Sequence, residues 1–306
     1  MQTLTRLYGL MILLALSVPF SAAQANTLKV FTCEPEWASL VKELAGDRVE
    51  VFSATSAHQD PHHIEARPSL IARLRQADLL LCTGADLEVG WLPMLLRQAG
   101  NQKVRTDQPG YFEAAGQVQR LDIPQQLDRS MGDLHAAGNP HVHLDPRRIQ
   151  QIAEALTSRL IEIDPAGKAI YQQGFDQFTT DWQAAMQRWQ QQAEPLKGQR
   201  IVVQHRDWLY LFDWLGIDIA GALEPRPGLP TTAAHLQSLK KQLQQKPASM
   251  IVHAPHQSPR SAQKFAQLSG LPVLELPYTV GGSADTQNLF ALFDQIIARL
   301  TGPLNE

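Results

Sequence analysis

The chain has 306 residues, with 27 basic against 30 acidic side chains and a formal net charge of −3. That near-balance excludes the basic face by which nucleic-acid binders hold phosphate, so no nucleic-acid partner is expected. The length exceeds that at which a single core usually stops growing, which favours two domains.

Arg6 is the only charge in the first 25 residues, and an apolar run from Leu7 to Val18 follows it. Pro19 breaks the run, and small residues lead to Ala23-Gln24-Ala25. A positive start, a short apolar stretch and an A-x-A site predict a signal peptide over residues 1–25, cut after Ala25. The run is shorter than the roughly 20 apolar residues of a membrane span. No Cys stands at the cut to carry a lipid. The mature chain is therefore expected to be soluble, exported and periplasmic.

Short apolar strands alternating with helical patterns then read as a parallel α/β fold. Strands are expected at Leu28–Thr32, Val49–Ser53, Asp78–Thr83 and Val118–Asp122, with helices over Trp37–Ala45 and Pro68–Gln76. A further helix covers Pro146–Ile163, with Asp145 as N-cap and Pro146 in the first turn. The second half repeats the style. Its strands are Arg200–Gln204, Ile217–Ala220, Ser249–Val252 and Pro272–Leu276, and its helices Trp208–Leu215, Thr232–Gln245, Pro259–Ser269 and Thr286–Leu300. Between the halves a long helix is expected over 164–197, opened by Asp164-Pro165 and closed by Pro195 and Gly198. Tyr171, Phe175, Phe178, Trp182, Met186 and Trp189 recur along it at steps of three and four, one continuous apolar stripe. About 30 residues at 1.5 Å each span roughly 45 Å, enough to brace two lobes. The expected organisation is an N-terminal metal-binding lobe over 26–163, the linking helix, and a C-terminal lobe over 198–306. Cys33 and Cys82 both end strands. If those strands are parallel neighbours the thiols meet, and an exported protein keeps such a disulfide. The rival reading, two thiolate ligands, lacks a C-x-x-C pair.

Three of the ten histidines fall in His58-Gln-Asp-Pro-His62-His63, three in His135-Ala-Ala-Gly-Asn-Pro-His141-Val-His143, and one follows a strand in Gln204-His205-Arg206-Asp207. Ligands of open α/β sheets bind beyond the carboxyl ends of strands, where such segments converge. Imidazole nitrogen suits Zn(II) and its neighbours, whereas Ca(II) and Mg(II) want oxygen. Asp60-Pro61-His62 and Asn139-Pro140-His141 share a tripeptide whose proline stiffens the turn before the histidine. His62, His141 and His205 are therefore the expected metal ligands. His143 and His63 are expected to point elsewhere. His58 and His135 read as spare ligands or solvated residues, and Glu65 as a partner for the second nitrogen of a ligand histidine. Asp207 reads as a first-turn acid of its helix. His235, His253 and His256 read as surface residues, with His253 the one that could face the cleft. Three neutral histidines leave a divalent charge uncompensated, which argues for a carboxylate nearby.

These motifs resemble the zinc/manganese-binding solute-binding proteins of ABC transporters, of the cluster A-I zinc-uptake type. The resemblance rests on Asp60-Pro61-His62, Asn139-Pro140-His141 with Leu144-Asp145-Pro146 behind it, His205 after a strand, Gly84-Ala85-Asp86-Leu87-Glu88 and the long central helix. It covers nearly the whole mature chain. It implies two pseudo-symmetric parallel-sheet lobes joined by a rigid helix, a metal buried between them, and delivery of that metal to an ABC membrane permease by a monomer. In such proteins the third ligand is His in zinc binders and Glu in manganese binders, so His205 favours Zn(II) over Mn(II). Two departures stand out. Relatives carry a carboxylate ligand in an Asp-Pro stretch after the last strand, where this chain reads Glu275-Leu-Pro-Tyr-Thr-Val-Gly-Gly282. Glu275, Asp285, His58, His135 or water is left to supply the fourth ligand. The long His-rich acidic loop is also missing, with only His135 in Met131–Gly138 where it would lie.

Two other readings compete. Three histidines and an open water position also describe a zinc hydrolase, with Glu65 as its base. No His-Glu-x-x-His and no Gly-x-Ser-x-Gly occurs in the sequence. A binder of a small organic solute would line its cleft with aromatics, for which Trp37, Trp208 and Tyr278 are the candidates.

Overall fold

The computed structural model describes residues 27–125 and 135–304, so the expected signal peptide and most of the loop around Met131 lie outside it. No helix among the described residues is long and apolar enough to cross a membrane.

Two four-stranded parallel sheets form the frame. The first holds β1 (Leu28–Thr32), β2 (Val49–Ser53), β3 (Leu79–Cys82) and β4 (Tyr111–Glu113) in the order β2-β1-β3-β4. The second holds β5 (Arg200–Val203), β6 (Asp218–Ala222), β7 (Met250–His253) and β8 (Val273–Glu275) in the order β6-β5-β7-β8. Each half thus places its second strand outermost beside its first, and the two halves share one topology. That is the pseudo-symmetric α/β architecture expected.

Most helices start where a proline or a capping side chain predicts it. Helices α1 (Pro35–Ala45), α2 (Pro68–Arg75) and α4 (Pro146–Ile163) carry proline in the first turn. The Asp145 side chain caps α4 by accepting from the Arg147 amide at 2.9 Å. In the second half lie α6 (Leu209–Leu215), α7 (Ala233–Gln245), α8 (Arg260–Ser269) and α9 (Leu289–Thr301). Thr232 and Asn288 cap α7 and α9.

Two local expectations fail. Residues 118–122 form no strand, and the fourth strand is β4, in register with Leu80–Cys82. The backbone of Leu121 is engaged elsewhere: its amide donates to Tyr210 Oη at 3.0 Å and its carbonyl accepts from Asn139 at 2.9 Å. Helix α3 (Leu92–Ala99), with Pro93 in its first turn, was not among the helices expected.

The linking segment is helical almost throughout but not as one helix. A 3₁₀ turn at Pro165–Gly167 leads into α5 (Lys168–Gln192), and a second at Glu194–Leu196 follows it. Its 25 α-helical residues span roughly 37 Å. The apolar stripe is buried as expected at Tyr171, Phe178, Trp182 and Trp189, with Phe175 and Met186 partly covered. Trp182 stacks on Phe178 at 5.1 Å, meets Phe290 and Phe293 of α9, and donates to the Pro146 carbonyl at 2.8 Å. One continuous core thereby joins Val30 and Leu79 of the first sheet, this helix, and Ile201 and Met250 of the second. Gly174 permits the closest approach, because a Cβ there would lie 2.3 Å from the Leu44 carbonyl oxygen at the end of α1. Close to that contact Arg48 grips Asp164 through two hydrogen bonds of 2.7 and 2.9 Å.

Cys33 follows β1 and Cys82 ends β3, which are hydrogen-bonded neighbours. Their Cα atoms are 4.8 Å apart and the two form a buried disulfide. That bond consumes both sulfurs and rules out the thiolate-ligand reading.

Candidate metal centre

His62 comes from the long loop between β2 and α2, His141 from the turn before α4, and His205 from the end of β5. Their ring centroids stand 5.8, 5.9 and 6.0 Å apart, a nearly equilateral triangle. One nitrogen from each ring lies within 4.8 Å of the others. A metal at about 2.0–2.1 Å from each donor sets its donors roughly 3.3–3.4 Å apart, so the rings are gathered and draw closer on sharing an ion.

The turns that present the first two rings are built alike. The Asp60 carboxylate accepts from the His62 amide at 3.0 Å, and the Asn139 side-chain oxygen accepts from the His141 amide at 3.0 Å. Each closes a short turn over the intervening proline, whose φ is already fixed. Trp91 Nε1 donates to the Pro61 carbonyl at 2.9 Å, and Tyr210 Oη donates to the Asn139 carbonyl at 2.6 Å. Asn139 Nδ2 donates in turn to the Arg206 carbonyl at 2.9 Å, tying the His141 turn to the His205 turn.

Each ring spends its Nδ1 on an oxygen, so Nε2 is the nitrogen it has to offer a metal, and that of His62 also lies 3.2 Å from His135 Nε2. His62 Nδ1 meets Asp60 Oδ1 at 2.7 Å, His141 Nδ1 meets Tyr278 Oη at 2.8 Å, and His205 Nδ1 meets Glu224 Oε2 at 2.8 Å. Glu224 is itself steadied by the Gly228 amide at 2.9 Å. A carboxylate can only accept, so in His62 and His205 the Nδ1 carries hydrogen, the arrangement that metal-bound histidines require.

The electrostatics differ between the rings. Burial, reinforced by His62 and His205, pushes the His141 pKa well below the usual imidazole value, so this ring is neutral. Its Nε2 is buried without a hydrogen-bond partner. Burial also opposes charge on His205, but Asp207 and Glu224 outweigh it and lift the pKa to about 9. For Asp60, burial is outweighed by the His62 hydrogen bond and charge, and the carboxyl titrates far below its normal range.

Several expectations about the surroundings need correction. Glu65 is exposed, and the support it was expected to give His62 comes from Asp60. His58 is exposed, Asp285 is exposed in a turn, and Glu275 is exposed on β8. None of these three lines the cleft of about 200 Å³ that opens on His62 and His205. His135 does reach the site: its Nε2 lies 3.2 Å from His62 Nε2. Asp207 does stand in a first turn, that of the 3₁₀ segment Arg206–Trp208, and it is also a buried carboxylate with Oδ1 3.4 Å from His141 Nε2. His256 is not on the surface either. It lines the cleft with its ring 4.9 Å from that of Tyr278. His253 is buried and bonds the Ala254 carbonyl, and His235 is half-buried against the Ala222 carbonyl. His143 turns away, packed between the Tyr278 carbonyl at 3.2 Å and Glu36 at 3.4 Å.

The competing readings lose their residues. Glu65, the proposed hydrolytic base, faces solvent. Trp37 and Trp208 belong to the core, and Tyr278 is occupied by His141. Sequence reasoning missed Asp60, Glu224 and Tyr278 as holders of the rings. Asp60 was visible two residues before His62. Glu224 and Tyr278 are brought in only by the fold.

The family model for the periplasmic zinc-uptake complex component A matches residues 30–302. A manganese ABC transporter substrate-binding lipoprotein, PsaA of Streptococcus pneumoniae, is 24% identical over 264 residues, 85% of this chain and 82% of its own. The metal ABC transporter substrate-binding lipoprotein FimA of Streptococcus parasanguinis is 28% identical over 170 residues, where the match spans 55% of this chain and about half, 52%, of the relative. Among solved structures, a crystal structure of ZnuA aligns with a TM-score of 0.72 at 22% identity, covering 89% of this chain and 99% of that one. A Mn-bound S38A mutant of a periplasmic metal-binding protein from Candidatus Liberibacter asiaticus aligns at 0.75 with 14% identity, covering 90% and 99%.

Proposed function

Because the chain belongs to the zinc-uptake complex component A family, we propose that it captures Zn(II) on His62, His141 and His205 and releases it to an ABC permease. The family is the metal-binding substrate-binding component of such transporters, not an enzyme, and works on the outer face of the membrane.

One observation carries the choice of ligands: three imidazoles with Nδ1 held by oxygen and one nitrogen of each within 4.8 Å of the others. Nitrogen donors favour zinc over manganese, which prefers carboxylate and water. Asp60, Glu224 and Asp207 around the rings supply the negative charge that three neutral histidines lack. In this reading 26–163 and 198–306 are the lobes that hold the ion between them and 164–197 is the brace. Residues 1–25 are the export signal. PsaA is named for manganese, and a site that carries carboxylates as well as imidazoles makes Mn(II) the comparison of choice.

The test is calorimetric titration of the metal-free mature protein with Zn(II) and Mn(II). One zinc per chain should bind, more tightly than manganese. His62→Ala, His141→Ala and His205→Ala should each weaken zinc binding by about a hundred-fold or more. Parent-like binding by all three variants would overturn the ligand assignment, and a preference for Mn(II) would overturn the metal.

A further inference from the structure

We propose that Asp207 is the fourth ligand of the metal, in place of the carboxylate that the segment after the last strand does not provide. The proposal rests on His62, His141 and His205 being the other three.

A tetrahedral ion with donors at 2.0–2.1 Å sets those donors roughly 3.3–3.4 Å apart. Asp207 Oδ1 lies 3.4 Å from His141 Nε2. The same nitrogen is buried and makes no hydrogen bond, although a carboxylate oxygen stands that close. Two electron-rich atoms at this spacing, one of them orphaned, are placed as co-ligands of a cation rather than as donor and acceptor.

Asp207 is also held as a ligand should be. It is 2% exposed. Its Oδ2 accepts from Gln257 Nε2 at 2.7 Å, and Gln257 Oε1 accepts from the Ala254 amide at 2.9 Å. One oxygen is thus pinned by an amide anchored to the end of β7, and the other faces the rings. A carboxylate taken out of water is costly unless a charge compensates it, and a divalent cation among three neutral imidazoles does so. His205-Arg206-Asp207 begins a 3₁₀ turn right after β5, so one turn contributes both an imidazole and a carboxylate. His62 and His141 come from the first half of the chain and His205 and Asp207 from the second. Separation of the halves then removes one nitrogen and one oxygen together.

His135 is the rival, with Nε2 at 3.2 Å from His62 Nε2. It is half-buried on a loop, where Asp207 is enclosed. It also adds no negative charge.

The experiment loads the full mature protein with Co(II) and measures Zn(II) affinity by chelator competition in Asp207→Asn, Asp207→Cys, His135→Ala and His141→Ala. Asp207→Asn should lose about a hundred-fold in zinc affinity and shift the visible cobalt bands. His135→Ala should stay within a few-fold of the parent. Asp207→Cys should gain a thiolate-to-cobalt charge-transfer band, which a merely structural role could not produce, since both native cysteines are in the disulfide. Parent-like affinity and spectra in Asp207→Asn, with no thiolate band in Asp207→Cys, would overturn the assignment while loss of binding in His141→Ala leaves the metal site standing. Parent-like binding in His141→Ala would instead overturn the metal-site reading itself.

Discussion

Replacing Glu224 by Gln should change how zinc binding depends on pH, not merely how strong it is. In the metal-free protein His205 has a pKa of about 9, because Asp207 and Glu224 outweigh the burial that lowers it. Zinc at Nε2 must displace that proton. At pH 7, two units below the pKa, the displacement costs about 2.7 kcal/mol, a factor of about one hundred. Parent affinity should therefore climb about ten-fold per pH unit from pH 7 and level off near pH 9. The sign for folding is opposite. A raised histidine pKa stabilises the metal-free fold fully below about pH 6.5, and that contribution is lost as pH rises through about 9. Glutamine keeps an acceptor 2.8 Å from Nδ1 but removes the charge. Loss of such a partner typically costs 10–100-fold in metal affinity, and the full loss should appear at pH 8.5–9. Near pH 6.5 the gap should narrow, because the variant's His205 has less proton to surrender. Chelator competition across pH 6.5–9 measures this, and calorimetry in two buffers of different ionisation enthalpy counts the protons. Equal proton release and a pH-independent affinity gap would refute the reasoning.

Two further predictions concern the frame. Cys33 and Cys82 close a loop with a sequence separation of 49; on the chain-entropy model their bond contributes about 4 kcal/mol. The double Ser variant should melt roughly 10 °C lower by calorimetry while keeping zinc affinity within a few-fold, since neither sulfur is at the centre. Trp182→Ala removes a ring that packs on Phe178, Phe290 and Phe293 and leaves the Pro146 carbonyl without its indole donor. It should cost about 3–5 kcal/mol in urea unfolding. If α5 couples the halves, the single transition of the parent should split into two.

The elements that were legible in sequence are those whose signals are local. The stripe from Tyr171 to Trp189 has helical period, and Pro146 behind Asp145 marks a helix start with two independent residues. The misplaced fourth strand shows the limit. Val118–Asp122 has the composition of a strand, yet Leu121 pairs with Asn139 of its own half and with Tyr210 of the other. The three-residue β4 is set by a neighbour, since only the register against Leu80–Cys82 makes it a strand.

The same division explains what was readable of the candidate centre. His62 and His141 announce themselves because each turn is closed within two residues by its own Asp60 or Asn139. The groups that orient the rings obey no such spacing: Glu224 reaches His205 across 19 positions and Tyr278 reaches His141 across 137. Asp207 is the instructive case. Its position two residues after a strand-end histidine was in plain view, but a short acid before a helix has an ordinary reason to be there. Only burial at 2% and the clamp from Gln257, fifty residues on, separate a helix-start acid from a carboxylate aimed at the rings. Local chemistry in a sequence identifies donors. Which donors share an ion depends on what the fold shuts away from water.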